Sequence, residues 1–166
     1  AIREVVGARV PGLRLRVGEL STDLVVVFTG DVAQAEAVAR RTDLGEAAAV
    51  ALRAVSDADA VLAAVDGNRA AFAELARTVK AWARARGLDS APHGGIPGIA
   101  WAVLAARVVR EHGDLPAAAL VREFFGTWAA WDWREPVTLA GPPGDAVGRA
   151  LSVYTPTAPV RLCTEQ

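Results

Sequence analysis

The stretch RAAFAELARTVKAWARAR, residues 69–86, decides the fold of this chain. Its large apolar side chains recur at spacings of three and four residues, which places them on one face of an α-helix: Phe72, Leu75, Val79, Trp82 and Ala83. Gly87 follows immediately and is a typical residue at which a helix stops. The stretch therefore predicts an amphipathic helix that packs one face against neighbouring helices.

The same helical pattern extends on both sides, from residue 31 to about residue 132. It predicts three more helices: one near 57–65 with Ser56 as N-cap, one over about 99–112 that stops at Gly113, and one from Pro116 to about Trp131. The segment 134–148 is rich in proline and glycine and indicates a loop, and residues 150–154 indicate a final strand.

Two strands are predicted before the helices. Residues 13–17, LRLRV, alternate apolar and basic, which is typical of a half-buried or edge strand. Residues 23–28, DLVVVF, form a continuous apolar run and predict a deeply buried strand, joined to the first as a hairpin by residues 18–22. Two strands do not make a stable sheet, so we expect a missing N-terminal segment or strand pairing with a second copy. The fold class predicted is α+β, mostly helical.

Composition excludes some classes of protein. The 166 residues are 52% apolar with a net charge of −1, so no overall basic field marks a nucleic-acid partner. The single cysteine, Cys163, excludes an internal disulfide, favours a cytoplasmic location, and forms no metal-ligand spacing with His93 or His112. No apolar run approaches the roughly 20 residues that span a bilayer, so we expect no membrane partner. The abundance of Ala, Val, Arg and Gly suggests a GC-rich bacterial genome.

Asp23 is a candidate metal ligand because it opens an apolar strand. A buried carboxylate costs several kcal/mol unless it is paired or binds a metal. An aspartate at a strand end is a common way to present a carboxylate to Mg²⁺. A solvated strand terminus explains the same pattern and is the more common case.

Lys80 is the only lysine, and the other 17 basic residues are arginine. A compact ammonium group suits a phosphate, although one residue is weak statistical evidence. The glycine-rich stretch HGGIPG, residues 93–98, precedes a predicted helix, where backbone groups can approach an anion, but most such stretches are plain connections. The aromatic residues at 124–133 could stack on bases, yet their helical spacing favours packing in the core.

Five stretches of the chain carry a family resemblance. VKAWAR at 79–84 resembles the IKLWA helix of eukaryotic poly(A) polymerases, and GIAWAVLAAR at 98–107 is similar to their GGVAWAMLVAR helix. LVREFF at 120–125 and WDWREPV at 131–137 resemble the pattern LV..FF......WEW.NPV, and YTPTAP at 154–159 resembles ITPAYP. All lie in the order that the family has, which identifies the chain as similar to a poly(A)-polymerase-type nucleotidyltransferase.

This resemblance implies a domain organisation. Residues 31–148 would form the central helical domain, and residues 1–30 the last strands of a DNA polymerase beta-like catalytic domain. Residues 149–166 would form a final strand and a linker toward a C-terminal RNA-binding domain. The family's glycine-serine motif and Asp-x-Asp pair would precede Asp23, so the chain by itself is expected to be inactive.

The resemblance also assigns the site. Asp23 matches the third metal-binding catalytic aspartate, Lys80 the lysine that contacts nucleotide phosphates, and Gly98 and Ile99 the loop near the nucleotide. Asp89 stands where the family has a tyrosine, and Pro97 replaces the first glycine of that loop, so the nucleotide pocket is altered. The implied cofactor is Mg²⁺ or Mn²⁺, and the implied partners are ATP or another NTP and an RNA 3′ end. The alternative is a non-catalytic RNA- or protein-binding module.

Overall fold

The computed structural model describes residues 1–5, 10, 12–89, 94–135, 137–139, 152–154 and 161–163. These residues divide into two compact units, Ala1–Asp59 and Ala60–Gln166. Four α-helices and two small antiparallel sheets are found in the described part of the chain. The predicted fold class, α+β and mostly helical, is confirmed.

The first unit begins with a three-stranded antiparallel sheet. Its strands are β1 (Ile2–Val5), β2 (Gly12–Val17) and β3 (Leu20–Leu24), with β2 in the centre. Val17 pairs with Leu20, so Gly18 and Glu19 form a two-residue turn, and Gly18 has a φ of 60° that favours glycine. The predicted first strand and the hairpin are confirmed, and β1 supplies a third strand that the sequence analysis did not predict.

The second predicted strand is wrong in its position and its burial. We expected a deeply buried strand over 23–28, whereas β3 ends at Leu24, and Val26 and Phe28 are 78% and 89% exposed. The tight turn fixes the register, which places Leu24 opposite Leu13 near the start of β2. Beyond Leu24 the apolar run therefore has almost no length of β2 left to pair with.

The first helix is longer than predicted. Helix α1 spans Glu46–Ala64, whereas the sequence analysis placed a helix near 57–65 with Ser56 as N-cap. Ser56 lies inside the helix, where its hydroxyl donates to the carbonyl oxygen of Arg53 at 3.0 Å. The alanine-rich residues before Ser56 have high helix propensity and extend the helix backward. Residues 31–45, predicted as helical, contain turns and a short 3-10 helix, Arg41–Leu44.

The second unit contains three packed helices: α2 (Arg69–Ala85), α3 (Gly98–His112) and α4 (Ala117–Ala130). They agree with the predicted helices to within one or two residues. Helix α2 buries the predicted face, since Leu75, Val79 and Ala83 are almost fully buried. It ends as predicted at Gly87, whose φ is 68°, and Leu88 N–H donates to the carbonyl of Ala83.

The core of this unit is formed largely by α3 and by the aromatic residues of α4. Phe124 and Trp128 are buried, and Phe125, Trp131 and Trp133 pack against them as partly buried side chains. The prediction that these aromatic residues pack in the core is confirmed. Each is within 4.8–6.3 Å, centroid to centroid, of another aromatic ring in tilted or edge-to-face contacts.

Three short strands complete the described part of the second unit: β4 (Val137–Thr138), β5 (Ser152–Tyr154) and β6 (Arg161–Cys163). Strand β5 lies within the predicted strand at 150–154, but β6 follows it, so it is not the final strand. Val137 is fully buried in the segment predicted as loop. Residues 140–151 and 155–160, which include most of the predicted loop at 134–148 and of the YTPTAP stretch, lie outside the described residues. In the HGGIPG stretch, His93 lies outside them, and residues 94–98 are described.

None of the helices in the described ranges has the length and apolar composition needed to cross a lipid bilayer.

Candidate functional site

Lys80 lies on the exposed side of α2, next to the buried Val79. It forms no ion pair with the described residues, although the surface of this chain carries many arginine–carboxylate pairs. An exposed ammonium group on a helix, five residues before the helix end at Ala85, is accessible to an anionic ligand. The exposure of Lys80 is therefore established, and its contact with a nucleotide phosphate stays a prediction.

The end of α2 and the start of α3 are joined by a backbone hydrogen bond. Ile96 N–H donates to the carbonyl oxygen of Leu88 at 3.0 Å, which holds the segment carrying Asp89 beside the segment that enters α3. Asp89 and Gly98 are exposed, and a Cβ atom at Gly98 would meet no atom within 4 Å. Ile99 is half-buried and packs against the core. Asp89 thus lies in the connection that follows α2, and Gly98 and Ile99 are the first two residues of α3.

Asp23 belongs to the first unit. It is the fourth residue of β3, not the residue that opens the strand, and in register it lies opposite Arg14. Arg14 Nε and Nη2 donate to its two carboxylate oxygens at 2.7 and 2.9 Å. These hydrogen bonds lower the pKa of Asp23 below its ordinary value. The carboxylate is more than half exposed, so the pair is a surface ion pair.

The described residues do not form a metal site by themselves. Both oxygens of Asp23 accept from Arg14, and the described ranges contain no group of three or more His, Cys, Asp or Glu side chains placed to bind a metal ion. Divalent metals in hydrolases and transferases are bound by several oxygen ligands. The requirement for Mg²⁺ or Mn²⁺, with Asp23 as a ligand, therefore stays a prediction for the complete protein.

We expect Arg14→Gln to raise the pKa of Asp23 toward the ordinary aspartate value of about 3.9. Because Arg14 favours the charged carboxylate, the pair stabilises the sheet above the unfolded-state pKa, and this stabilisation is lost as the pH falls through the lower folded-state pKa. Carboxyl chemical shifts measured against pH by NMR report the change. The neighbouring Arg16→Gln, opposite Ser21, is the matched control and should leave the pKa of Asp23 unchanged. An unchanged pKa in Arg14→Gln would contradict the pairing.

The turn WDWR after α4, residues 131–134, is stabilised by hydrogen bonds of its own side chains. Asp132 accepts from the backbone N–H of Arg134 at 3.1 Å and from its guanidinium, which lowers the pKa of the Asp132 carboxyl. Trp131 Nε1 donates to the carbonyl oxygen of Glu135 at 3.1 Å. Local hydrogen bonds therefore account for the conformation of this turn.

Three arginines that were not predicted as functional residues make specific contacts in the second unit. Arg107 and Arg110 on α3 donate to the backbone carbonyls of Thr138 and Leu139, which fixes β4 on the helical core. The Arg86 guanidinium carbon lies 4.7 Å from the centre of the Trp82 ring. The spacing of four residues between Trp82 and Arg86 was the available signal for that contact.

A profile of the family described as the poly(A) polymerase central domain matches residues 71–159, more than half of the chain. The chain belongs to the poly(A) polymerase central domain family. All five stretches on which the resemblance was based lie inside the matched range. In this poly(A) polymerase central domain, the matched range begins in α2 and includes α3, α4, β4 and β5.

Relatives of this central domain include poly(A) polymerases of yeasts and plants. The chain is 35% identical over 68 residues to Poly(A) polymerase PAPalpha of Candida albicans, covering 41% of this chain and 12% of that protein. It is 32% identical over 72 residues to Poly(A) polymerase pla1 of Schizosaccharomyces pombe, covering 43% of this chain and 13% of that protein. Nuclear poly(A) polymerase 2 of Arabidopsis thaliana is 27% identical to the chain over 146 residues, covering 83% of this chain and 18% of that protein. The chain thus spans less than a fifth of each of these relatives.

Proposed function

We propose that the chain is the central part of a template-independent RNA nucleotidyltransferase that adds nucleotides from ATP or another NTP to RNA 3′ ends. The observation that carries the proposal is the family match over residues 71–159, together with an exposed Lys80 on α2 that forms no ion pair with the described residues. A bacterial source and a cytoplasmic location are proposed with it, on composition and on the single cysteine.

Each residue has a proposed role. Lys80 binds nucleotide phosphates through its exposed ammonium group, as a point charge at the side of α2. Gly98 leaves open space at the start of α3 where backbone N–H groups can approach the nucleotide, and Ile99 and Asp89 flank that entry. Asp23 contributes a metal-binding carboxylate only when further carboxylates join it, because Arg14 engages both of its oxygens here. The chain by itself is therefore proposed to be inactive.

A non-catalytic RNA- or protein-binding module is the second candidate. The observations that favour it are the Arg14–Asp23 pair and the acidic Asp89 at a position where the family has a tyrosine. An acidic side chain repels nucleotide phosphates, so a pocket altered in this way binds a nucleotide less well.

The test is RNA extension by the protein encoded by the complete gene, with each NTP in turn and with Mg²⁺ or Mn²⁺. We expect extension, and we expect Lys80→Ala to reduce kcat/KM about 10- to 100-fold, since hydrogen bonds to charged groups contribute about 1.5–3 kcal/mol. Arg77→Ala, an exposed cation on the same helix, is the matched control and should retain activity. No extension with any nucleotide, together with retained RNA binding, would favour the module instead.

A further inference from the structure

Two cavities lie between α2 and α4 in the second unit. The first, of about 330 Å³, lies between the first halves of the two helices, and four alanines line it: Ala70, Ala71, Ala117 and Ala118. The second, of about 300 Å³, lies between their second halves and is lined mostly by aromatic rings, among them Trp82 of α2 and Phe125 of α4. Since first halves meet and second halves meet, α2 and α4 run parallel.

The two cavities lie along one stripe of each helix. On α2 the stripe is formed by Ala71, Glu74, Thr78 and Trp82, and on α4 by Ala118, Val121, Phe125 and Ala129. Residues with these spacings of three and four lie on the same face of a helix. The cavities are therefore the two ends of one groove, about 16 Å long at 1.5 Å per residue. We call it the α2–α4 groove, with an alanine end and an aromatic end.

The α2–α4 groove lies on the opposite side of α2 from Lys80. Successive residues of an α-helix are rotated by about 100°, so Lys80 lies roughly 200° around the helix from both Thr78 and Trp82. Neither Lys80 nor Asp89, Gly98 or Ile99 lines either cavity. The groove is therefore separate from the residues to which the family resemblance assigns nucleotide binding.

The surface of the groove suits apolar side chains carried by a helix. Its aromatic end exposes almost no polar atoms, so a polar group placed there would lose its hydrogen bonds to water without replacement. Its alanine end allows another backbone to approach closely, because the side chains there are small. A groove between two helices is filled well by the side chains of a third helix, which repeat at spacings of three and four residues.

The two ends of the groove carry opposite charges. Glu74 is exposed and lines the alanine end, whereas the Arg86 guanidinium carbon lies 4.7 Å from the ring centre of Trp82 at the aromatic end. Neither charge forms an ion pair within the described part of the chain. The groove therefore offers an unpaired carboxylate at one end and an unpaired guanidinium at the other.

This charge arrangement selects the direction of a bound helix. Acidic residues are favourable in the first turn of a helix and basic residues in the last turn. A helix antiparallel to α2 and α4 places its first turn beside Arg86 and its last turn beside Glu74, so both of its favourable end charges meet opposite charges. It also aligns its dipole against those of the two parallel helices, whereas a parallel helix would do neither.

We propose that the α2–α4 groove binds one amphipathic α-helix of a partner protein, antiparallel to α2 and α4. The helix carries large apolar residues at positions i, i+3, i+7 and i+11, Asp or Glu in its first turn, and Lys or Arg in its last turn. The proposal does not depend on the proposed function, because the two sites share no residue.

The probe is a designed peptide of about 15 residues, or about four helical turns, with leucine at the four apolar positions, glutamate in the first turn and lysine in the last. A second peptide exchanges the glutamate and lysine turns. Both carry a hydrocarbon staple on the outer face, and circular dichroism checks that their helix contents are equal. Fluorescence anisotropy of the labelled peptides, titrated with the 166-residue chain, measures Kd. We expect saturable binding of the first peptide and about 2- to 5-fold weaker binding of the second.

Filling the groove should prevent binding. Ala118→Phe at the alanine end and Ala129→Phe at the aromatic end should each weaken binding of the first peptide about 10-fold or more, because each excludes one leucine from an apolar surface. Ala130→Phe is the matched control and should bind normally, since Ala130 is exposed on α4 and lines neither cavity. Circular dichroism checks that each variant is folded.

Exchanging the charges of the groove should invert the preference. The double variant Glu74→Lys, Arg86→Glu is expected to bind the second peptide more tightly than the first. A misfolded protein would lose both peptides, so an inversion reports the charge contacts themselves. Arg77→Glu, an exposed charge change on α2 outside both cavities, should leave the preference unchanged.

Three results would overturn the proposal. Equal binding by the two groove-filling variants and Ala130→Phe would show that the peptide binds elsewhere, and an unchanged preference in the double variant would refute the charge contacts. In analytical ultracentrifugation, a dimer of the chain that Ala118→Phe dissociates would identify a second copy as the occupant instead. Displacement of the peptide by a short oligoadenylate would likewise assign the groove to RNA and not to a protein helix.

Discussion

Phe124→Ala is expected to lower the free energy of unfolding of the Ala60–Gln166 unit by about 3–5 kcal/mol. Phe124 is 1% exposed, and its ring centroid lies 5.3 Å from that of Phe125 and 6.3 Å from that of Trp128. Truncation leaves a void that the rigid aromatic neighbours cannot fill, so transfer and cavity contributions add. Urea denaturation followed by tryptophan fluorescence measures the loss, since all five tryptophans lie in this unit.

The matched control is Phe28→Ala. Phe28 belongs to the first unit and is 89% exposed, so the same chemical change should alter stability by no more than about 0.5 kcal/mol. Losses of similar size in both variants would contradict the burial described here, and a loss below about 1 kcal/mol for Phe124→Ala would show that the aromatic core repacks.

The helices of the second unit could be predicted because their signals are local. The spacing of Leu75, Val79 and Ala83 defines one face within the helix itself, and Gly87 and Gly113 mark helix ends within one turn. Such signals depend on few long-range contacts. The prediction was therefore accurate to one or two residues for α2, α3 and α4.

The strand at 23–28 was predicted wrongly because burial of a strand depends on partners elsewhere in the chain. The apolar run from Leu24 to Phe28 has the composition of a central strand, but the turn at Gly18 sets a register in which Leu24 already lies opposite Leu13, at the start of β2. For helix α1 the error was of another kind: Ser56 is a good N-cap residue, yet here its hydroxyl bonds back to Arg53 within the helix.

The residues of the candidate site also include some whose surroundings could be predicted from the sequence and some for which they could not. Lys80 is not among the apolar residues that define the buried face of α2, so its exposure could be predicted from the sequence. The Arg14–Asp23 pair could not be predicted, since it requires the register of the hairpin, and the contacts of Arg107 and Arg110 require the packing of the 137–139 segment on α3. Residues that act through cross-strand or inter-helix proximity leave no pattern in the sequence that a periodicity analysis detects.

Gly113→Ala is expected to cost about 1–3 kcal/mol of stability in the second unit. A Cβ atom at Gly113 would lie 2.5 Å from the carbonyl oxygen of Val109 and 2.6 Å from Cγ of Asn68. Val109 is a backbone neighbour in α3 that cannot move away without disturbing the helix, and Asn68 precedes α2. The glycine is therefore required by the close approach of the end of α3 to the start of α2, and the same urea denaturation measures the cost.

Gly98→Ala, at the other end of α3, is the matched control. A Cβ there would meet no atom within 4 Å, and alanine favours the helix, so stability should stay the same or rise by up to about 1 kcal/mol. A Gly113→Ala variant as stable as Gly98→Ala would refute the close packing of α2 and α3 at these ends. Gly98→Ala in the complete protein also separates folding from nucleotide binding. A raised KM for NTP at unchanged stability would show that the added methyl group occupies space that the nucleotide needs.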